Sequence, residues 1–197
     1  MLHFKILLLS FFVCSLSLAA ETVSQTQSLP KSKIDFSYVS WSEVLKLEDG
    51  TTKDQATNQF FGNALTYQYD FSSRQASGFL VETGILFGKA NAGGSQAGIT
   101  YQTSNNPWSG ALLAGAYRWN LSPSTYLSLV PTLLYRKVTM QAPNASTTQF
   151  KLAPDINQAL IIEARALLTP KLSFKYQMGS LVTQANAWWG FGLGYAL

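Results

Sequence analysis

Histidine and cysteine are almost absent from this chain, which has one of each among its 197 residues, His3 and Cys14. Both fall in the first twenty residues, a segment that we expect to be removed from the mature protein. Without imidazole or thiol, a chain has no His-based general base, no catalytic cysteine, no disulfide and none of the ligands that most zinc sites need. We therefore predict no catalytic residue, no cofactor and no metal site.

Charge is also scarce. Asp, Glu, Lys and Arg make up 12% of the residues, about half the share of an ordinary soluble domain. The net charge of +4 is spread along the chain rather than clustered, which argues against a nucleic-acid partner. At 47% hydrophobic and 13% aromatic residues, the chain is too apolar to be disordered.

Long hydrophobic runs are missing except at the start of the chain. Residues 1–20 combine Lys5, an apolar stretch over 6–18 and the small pair Ala19 and Ala20, which predicts a cleaved secretory signal peptide. Residues 21–32 are polar and are expected to be a flexible lead-in. The remainder, 33–197, is predicted to form one domain, and no later segment has the roughly 18 apolar residues of a membrane helix.

In this domain the apolar residues recur at every second position, which indicates β-strands. The eight predicted strands cover residues 33–47, 59–71, 78–88, 108–121, 124–138, 156–169, 171–182 and 187–197. Most are long enough to cross a bilayer when tilted. The first has the poorest alternation. Pro131 in the fifth is expected to cause a bulge or distorted pairing, because it lacks a backbone N–H.

The predicted connections differ in length at the two ends. Segments 72–77, 121–124 and 169–171 are short, whereas 48–58, 89–107 and 139–155 are longer and rich in Gly, Asn, Thr, Gln and Ser. Only the connection 183–186 departs from this alternation. Tight turns at one end and longer polar loops at the other are typical of an up-and-down outer-membrane barrel.

The two faces of each strand differ in kind. On the second strand, Leu65, Tyr67 and Tyr69 alternate with Thr66, Gln68 and Asp70. A soluble lipocalin-like barrel would enclose the aromatic face, whereas a membrane barrel would turn it outward. Three observations favour the membrane barrel: the polar face is rich in Gly and Ala, the aromatic residues gather near strand ends, and there is too little charge to cover a soluble surface.

The last strand adds a resemblance. Its alternating hydrophobic positions resemble the terminal β-signal of bacterial outer-membrane proteins, although Leu197 stands where Phe is most common: Trp189, Phe191, Leu193, Tyr195 and Leu197. The whole domain resembles the small outer-membrane barrels of the OmpA, OmpX and OmpW kind. The resemblance implies an eight-stranded antiparallel transmembrane β-barrel in the outer membrane of a Gram-negative bacterium. It also implies contact with membrane lipid and lipopolysaccharide, and insertion by the assembly machinery with periplasmic chaperones.

Charged residues on the polar face fall at similar depths, counted from the short turns. They are expected to converge inside the barrel as one cluster: Asp70, Glu82, Arg118, Glu163, Arg165 and Lys175. Such a cluster is either a gate that rearranges or a plug of paired charges, and we favour the plug because eight-stranded barrels are filled by their own side chains. Arg136 lies nearer the longer loops, where it could contact a ligand, but we expect it to be solvated.

We therefore predict a non-enzymatic barrel with a structural or surface-interaction role carried by its longer loops. Lipid A deacylase and palmitoyltransferase barrels are similar in size, but they use an essential histidine that the mature chain lacks. Two alternatives stay open: a narrow channel for small or apolar solutes, and a soluble periplasmic lipocalin-like binder. The ligand and the oligomeric state are not predicted.

Overall fold

The computed structural model describes residues 31–49, 52–72, 77–96, 99–138, 149–151, 155–182 and 186–197. The predicted signal peptide and most of the lead-in lie outside the described residues. The described residues form nine strands: β1 (Ser32–Asp49), β2 (Thr52–Asp70), β3 (Gly78–Gln96), β4 (Ile99–Ser122), β5 (Thr125–Val138), β6 (Gln149–Lys151), β7 (Ile156–Leu167), β8 (Leu172–Leu181) and β9 (Ala187–Ala196). Among the described residues, there is no helix long and apolar enough to span a membrane.

Eight of these strands close into a barrel. Each pairs antiparallel with the next in the order β1, β2, β3, β4, β5, β7, β8 and β9, and β9 pairs back with β1. The three-residue strand β6 pairs with β1 beyond the end of β9, through Leu47 and Phe150. The predicted fold, an eight-stranded antiparallel up-and-down β-barrel, is therefore confirmed.

The two ends of the barrel are unequal. At one end, which we call the turn end, short connections join β2 to β3, β4 to β5 and β7 to β8. At the other, the loop end, the β1–β2 and β3–β4 hairpins extend beyond their neighbours. The expectation of loops over 48–58 and 89–107 was wrong, since most of those residues continue the strands. These extensions lack the apolar alternation that marks a strand in sequence. Most of the third predicted loop, 139–155, lies outside the described residues.

Pro131 interrupts one ladder without changing its register. The β4–β5 pairing is broken between Ala114–Thr132 and Tyr117–Leu129, yet it resumes in the same register. On its other side, Pro131 pairs normally opposite Leu160 of β7. The missing backbone N–H of proline therefore disturbs the pairing with one neighbour, and no bulge forms at this position.

Alternation sorts the side chains into an apolar outside and a mixed polar and apolar inside. In β9, every second residue is exposed and every second one is buried. β1 follows the same rule except at Ser40, which is also buried, and Lys33, Asp35 and Glu43 point inward. Its alternation was not recognised in the sequence, because charged residues and a tryptophan occupy its inner face.

Candidate functional site in the barrel interior

Charged side chains fill the interior nearest the turn end. We call this set the ionic layer. All of its members are buried and they come from seven strands: Lys33, Asp35, Asp70, Glu82, Arg118, Tyr126, Glu163, Arg165 and Lys175. It includes the six charged residues that the sequence placed in an interior cluster. Lys33, Asp35 and Tyr126 were not anticipated, and the inward positions of β1 and β5 are the signal that identifies them.

Arg165 on β7 makes the densest contacts of the ionic layer. Its Nη1 and Nη2 atoms each lie 2.6 Å from an oxygen of Asp35 on β1. Its Nε and Nη2 donate to Oε1 of Glu163 at 3.0 and 2.9 Å. The planar guanidinium is thus held on two sides, a geometry that suits arginine better than lysine.

Lys175 on β8 joins further carboxylates to the same network. Its Nζ lies 3.3 Å from Asp35 and 3.4 Å from Glu82. Glu163 is more distant, at 4.0 Å. Gln177, two positions further along β8, donates to the second oxygen of Glu163 at 2.9 Å. Four of the six predicted residues therefore belong to one continuous network.

The other two predicted residues form a separate pair close to the turn end. Arg118 on β4 binds Asp70 on β2. The same guanidinium donates to the hydroxyl of Ser72 at 3.0 Å. Asp70 also accepts a hydrogen bond from the backbone N–H of Ser72 at 2.9 Å, so the pair is attached to the β2–β3 turn.

Tyr126 lies between the pair and the network. Its oxygen accepts a hydrogen bond from the Lys33 ammonium. Three cations surround its ring, at 4.6 Å for Lys33, 5.4 Å for Arg118 and 5.8 Å for Arg165. A phenol ring attracts cations through its negative face and gains most when water is excluded. Tyr126 is therefore the contact between the two parts of the ionic layer.

The ionic layer is balanced in charge. Four basic residues, Lys33, Arg118, Arg165 and Lys175, face four acidic ones, Asp35, Asp70, Glu82 and Glu163. Because an unpaired charge in a low-dielectric interior is very costly, equal numbers of the two signs are what a stable buried cluster requires.

A layer of apolar and aromatic side chains lies above the ionic layer, towards the loop end. Trp41 is at its centre, stacked on Phe60 and on Trp188 with ring centroids 4.9 Å apart in each case. Trp108 meets Trp41 edge-on at 4.9 Å and donates its ring N–H to the Lys89 carbonyl at 2.9 Å. We call this set the aromatic layer.

A further buried ion pair, outside the ionic layer, lies beside the aromatic layer. The Arg136 Nε donates to the two carboxylate oxygens of Glu43 at 2.8 and 3.0 Å. Trp41 donates to Glu43 at 2.8 Å, and Asp155 lies 3.8 Å from Arg136. The expectation that Arg136 is solvated was wrong, since its exposure is 0%. Its partner Glu43 belongs to β1, whose inner face was not recognised in the sequence, so the ion pair was not expected.

Little free space remains between these layers. A cavity of about 10 Å³ separates the ionic layer from the aromatic layer, and its lining includes Glu82, Lys175 and Trp188. Such a volume holds about one water molecule. The described side chains thus fill the bore at two successive levels.

The proposed assembly-signal residues lie on the outside of the closing strand β9 and at its end. Trp189, Phe191, Leu193 and Tyr195 point outward and are exposed, and Leu197 follows the strand. β9 pairs with β8 on one side and with β1 on the other. Its inward positions include Gly194, beside Asp35 and Arg165, so its small inner residues make room for the ionic layer.

No protein-family model and no curated protein matches the chain. Among solved structures it is similar to Ail, the attachment invasion locus protein of Yersinia pestis, at 14% identity and a TM-score of 0.44 over 84% of this chain and 97% of that one. Neisserial surface protein A gives 8% identity and a TM-score of 0.45 over 85% and 97%. An outer membrane channel from Pseudomonas putida F1 gives 11% and 0.38 over 88% and 98%. At these values the likenesses carry no functional conclusion.

Proposed function

We propose that this chain is an integral outer-membrane barrel protein of a Gram-negative bacterium, exported by a cleaved signal peptide. Its interior is closed by paired charges. It has no catalytic role, and it serves a structural or surface-interaction function through the extended hairpins and loops at the loop end. With the extended hairpins and loops at the cell surface, the turn end lies in the periplasm.

The outward face of the barrel carries this proposal. It bears large exposed apolar side chains around the ring, such as Phe79 on β3 at 68%, Leu113 on β4 at 54% and Leu193 on β9 at 51% exposure. Contiguous apolar surface of this extent is rare on a monomer in water. In a bilayer it faces hydrocarbon, and closing the sheet into a barrel removes its unpaired edges.

Aromatic side chains at the turn end support a position of this end at a membrane surface. Phe71 packs against Tyr69, and Tyr117 packs against both Phe79 and Trp119, with centroids about 5 Å apart. Tyr and Trp favour the boundary between hydrocarbon and headgroups, because one end of each ring system is apolar and the other is polar. These contacts suit the periplasmic interface of an outer-membrane barrel.

The soluble lipocalin-like alternative requires the opposite arrangement. It would enclose the aromatic face and expose the charges. Instead, Arg118, Arg165 and Lys175 are buried, while Phe79 and Leu121 are exposed. An apolar ligand would find the bore occupied by ions and packed rings.

The ionic layer supports a plug rather than a gate. Opening a path past Arg165 would separate it from Asp35 and Glu163, both fully buried. Breaking such a pair costs about 3–5 kcal/mol when one partner is left uncompensated. A second obstacle follows at the aromatic layer and the Arg136–Glu43 pair. We therefore favour a closed barrel over the narrow channel.

The proposed partners are the membrane lipid and lipopolysaccharide around the belt, and the assembly machinery and periplasmic chaperones during insertion. The hydrophobic positions of β9 support the second group, because they lie exposed on the outer face of the closing strand. No nucleic-acid partner is proposed.

Heat-modifiability of the extracted protein tests the membrane assignment. Outer membranes are isolated, extracted in mild detergent and compared on a gel with and without boiling. A folded barrel is expected to shift in mobility when boiled. Recovery in the soluble periplasmic fraction without a shift would contradict the proposal and favour the soluble alternative.

Conductance in a planar bilayer tests the closed interior. The reconstituted protein is expected to give no current steps above background, while a porin in the same bilayer serves as the positive control. Reproducible unitary current steps from the purified barrel would contradict the plug and favour a channel.

A further inference from the structure

The sizes of the outward-facing residues imply a shallow groove along β4 near the loop end. Its floor is made of small outward-facing residues, and its two walls are bulky residues of the neighbouring strands. The floor consists of Pro107, Ser109 and Ala111, and the walls of Ile85, Phe87 and Lys89 on β3 and Tyr135 and Lys137 on β5. Further down, Leu113 of β4 closes the groove, because this large side chain is outward and exposed.

Two lysines stand on either side of the upper end of this groove. Lys89 pairs with Pro107, and Lys137 pairs with Ser109. Two strand spacings and one two-residue step put their backbones about 10 Å apart across the sheet and about 7 Å apart along it. Both side chains are exposed, and lysine stems are long and flexible enough to bring both ammonium groups over the groove.

The lysines mark the upper boundary of the apolar belt. Phe87 and Tyr135 lie two residues below these lysines on the walls of the groove, and both are large and point outward. Among the described residues, no carboxylate is an ion-pair partner of either lysine, and the nearby exposed Asp155 lies 3.8 Å from Arg136. Two exposed lysines with no ion-pair partner among the described residues are placed at this level to meet anionic headgroups.

We propose that this groove is a binding site for a phosphorylated lipid of the outer leaflet. The phosphate lies between Lys89 and Lys137 and accepts a hydrogen bond from the Ser109 hydroxyl. One acyl chain follows the floor past Ala111, between Phe87 and Tyr135. The site rests on the proposed membrane orientation, but it makes a separate claim about one position on the ring.

The opposite rim provides a matched control. Lys31 precedes β1 and Lys171 precedes β8, and the single strand β9 lies between these strands. Both lysines are exposed. Tyr195 is outward on the strand between them, and the exposed Leu197 follows that strand. This second pair therefore has the same charge and strand separation but no groove of small residues.

The test measures lipid binding by the full-length mature protein, purified in detergent, with native mass spectrometry. The probes are diphosphoryl lipid A and its dephosphorylated form. Lys89→Gln/Lys137→Gln is expected to bind the phosphorylated probe about thirtyfold more weakly, since each lysine near an anionic surface contributes about a factor of five. Lys31→Gln/Lys171→Gln is expected to bind like the wild type.

A second variant tests the shape of the groove without changing charge. Ser109→Trp fills the floor and is expected to displace the lipid. Leu133→Trp, on an outward position of β5 that is already bulky, serves as its control. Both substitutions face the membrane and leave the interior untouched, so both variants are expected to keep the heat-induced mobility shift.

Three results would overturn the site. Equal losses in the two lysine double variants would show a general charge effect. Equal affinity of the wild type for phosphorylated and dephosphorylated probes would remove the role of the phosphate. Competition by inorganic phosphate as effective as that by the lipid would show a free-anion site instead. Each result leaves the heat-modifiability of the wild type intact, so failure of the site is distinguishable from failure of the proposed function.

Discussion

Arg136 and Glu43 meet across the full width of the barrel, with the arginine Nε 2.8 and 3.0 Å from the two carboxylate oxygens. They belong to β5 and β1, which lie four strands apart in a ring of eight and therefore on opposite sides. Neither side chain is exposed to solvent. The pair thus joins two distant walls and closes the bore at the level of the aromatic layer.

Removing one partner of this pair is expected to be strongly destabilising. Glu43→Gln leaves the buried Arg136 without its carboxylate, and such losses cost about 3–5 kcal/mol of unfolding free energy. Urea unfolding in detergent micelles, followed by tryptophan fluorescence, measures the change. The double variant Glu43→Leu/Arg136→Met is expected to recover much of the loss, because no buried charge remains. A Glu43→Gln variant as stable as the wild type would contradict the finding.

The contributions of the Tyr126 hydroxyl and of its ring to stability can be measured separately. Tyr126→Phe keeps the ring but removes the acceptor of the Lys33 hydrogen bond, with an expected cost of about 1.5–3 kcal/mol. Tyr126→Leu also removes the surface that faces three cations and is expected to cost more. Tyr67→Phe is the control, since its hydroxyl contacts Ser32 at 3.1 Å on the exposed side. Equal stabilities of all three variants in urea would exclude a structural role for Tyr126.

Glycine positions distinguish the crowded inside from the open outside. A Cβ at Gly194 would lie 2.7 Å from Arg165 Nη1 and also collide with Asp35, whereas one at Gly115 would meet nothing within 4 Å. Gly194→Ala is therefore expected to destabilise the barrel by about 1–3 kcal/mol, and Gly115→Ala by less than about 0.5 kcal/mol. Samples heated to a series of temperatures before electrophoresis give the temperature at which each variant unfolds, and these temperatures rank the two variants. Similar values would mean that the ionic layer is not tightly packed around β9.

The proposed assembly signal predicts a defect that appears only in cells. Tyr195→Ala removes an exposed ring from the closing strand, and Tyr135→Ala removes a similarly exposed ring from β5. We expect both to refold equally well in detergent, since neither ring contributes to the interior. Only Tyr195→Ala is expected to lower the amount inserted into the outer membrane, measured by gel shift of membrane fractions. Equal insertion of both variants would argue against a special role of β9.

Several features followed from the sequence because strand periodicity is a local property. Positions such as Leu65, Thr66 and Tyr67 alternate between an apolar and a polar face, so most of the strands and their two faces could be predicted from neighbouring residues alone. Counting residues from the tight turns predicted that Glu82, Glu163, Arg165 and Lys175 lie at one depth, because distance from a turn sets the height of a residue in the barrel wall.

Other features needed the whole barrel. The inner face of β1 carries Lys33, Asp35, Trp41 and Glu43, and its composition resembles neither an apolar nor a simple polar face until partners on other strands are known. Arg136 looked solvated because Glu43 stands 93 positions earlier in the chain. The extensions of β2, β3 and β4 were missed since polar strands beyond the apolar belt show no alternation of hydrophobicity.

The sequence by itself determined the number of barrel strands, the alternation of all but the first, and the scarcity of charge and of catalytic side chains, because each depends on residue type and local spacing. Only the tertiary structure decided which charge meets which. Closure of the ring brings β1 next to β9 and opposite β5, and these distances are set by strand order and register rather than by separation along the chain. The pairing of Asp35 with Arg165, of Glu43 with Arg136 and of Lys33 with Tyr126 follows from that closure.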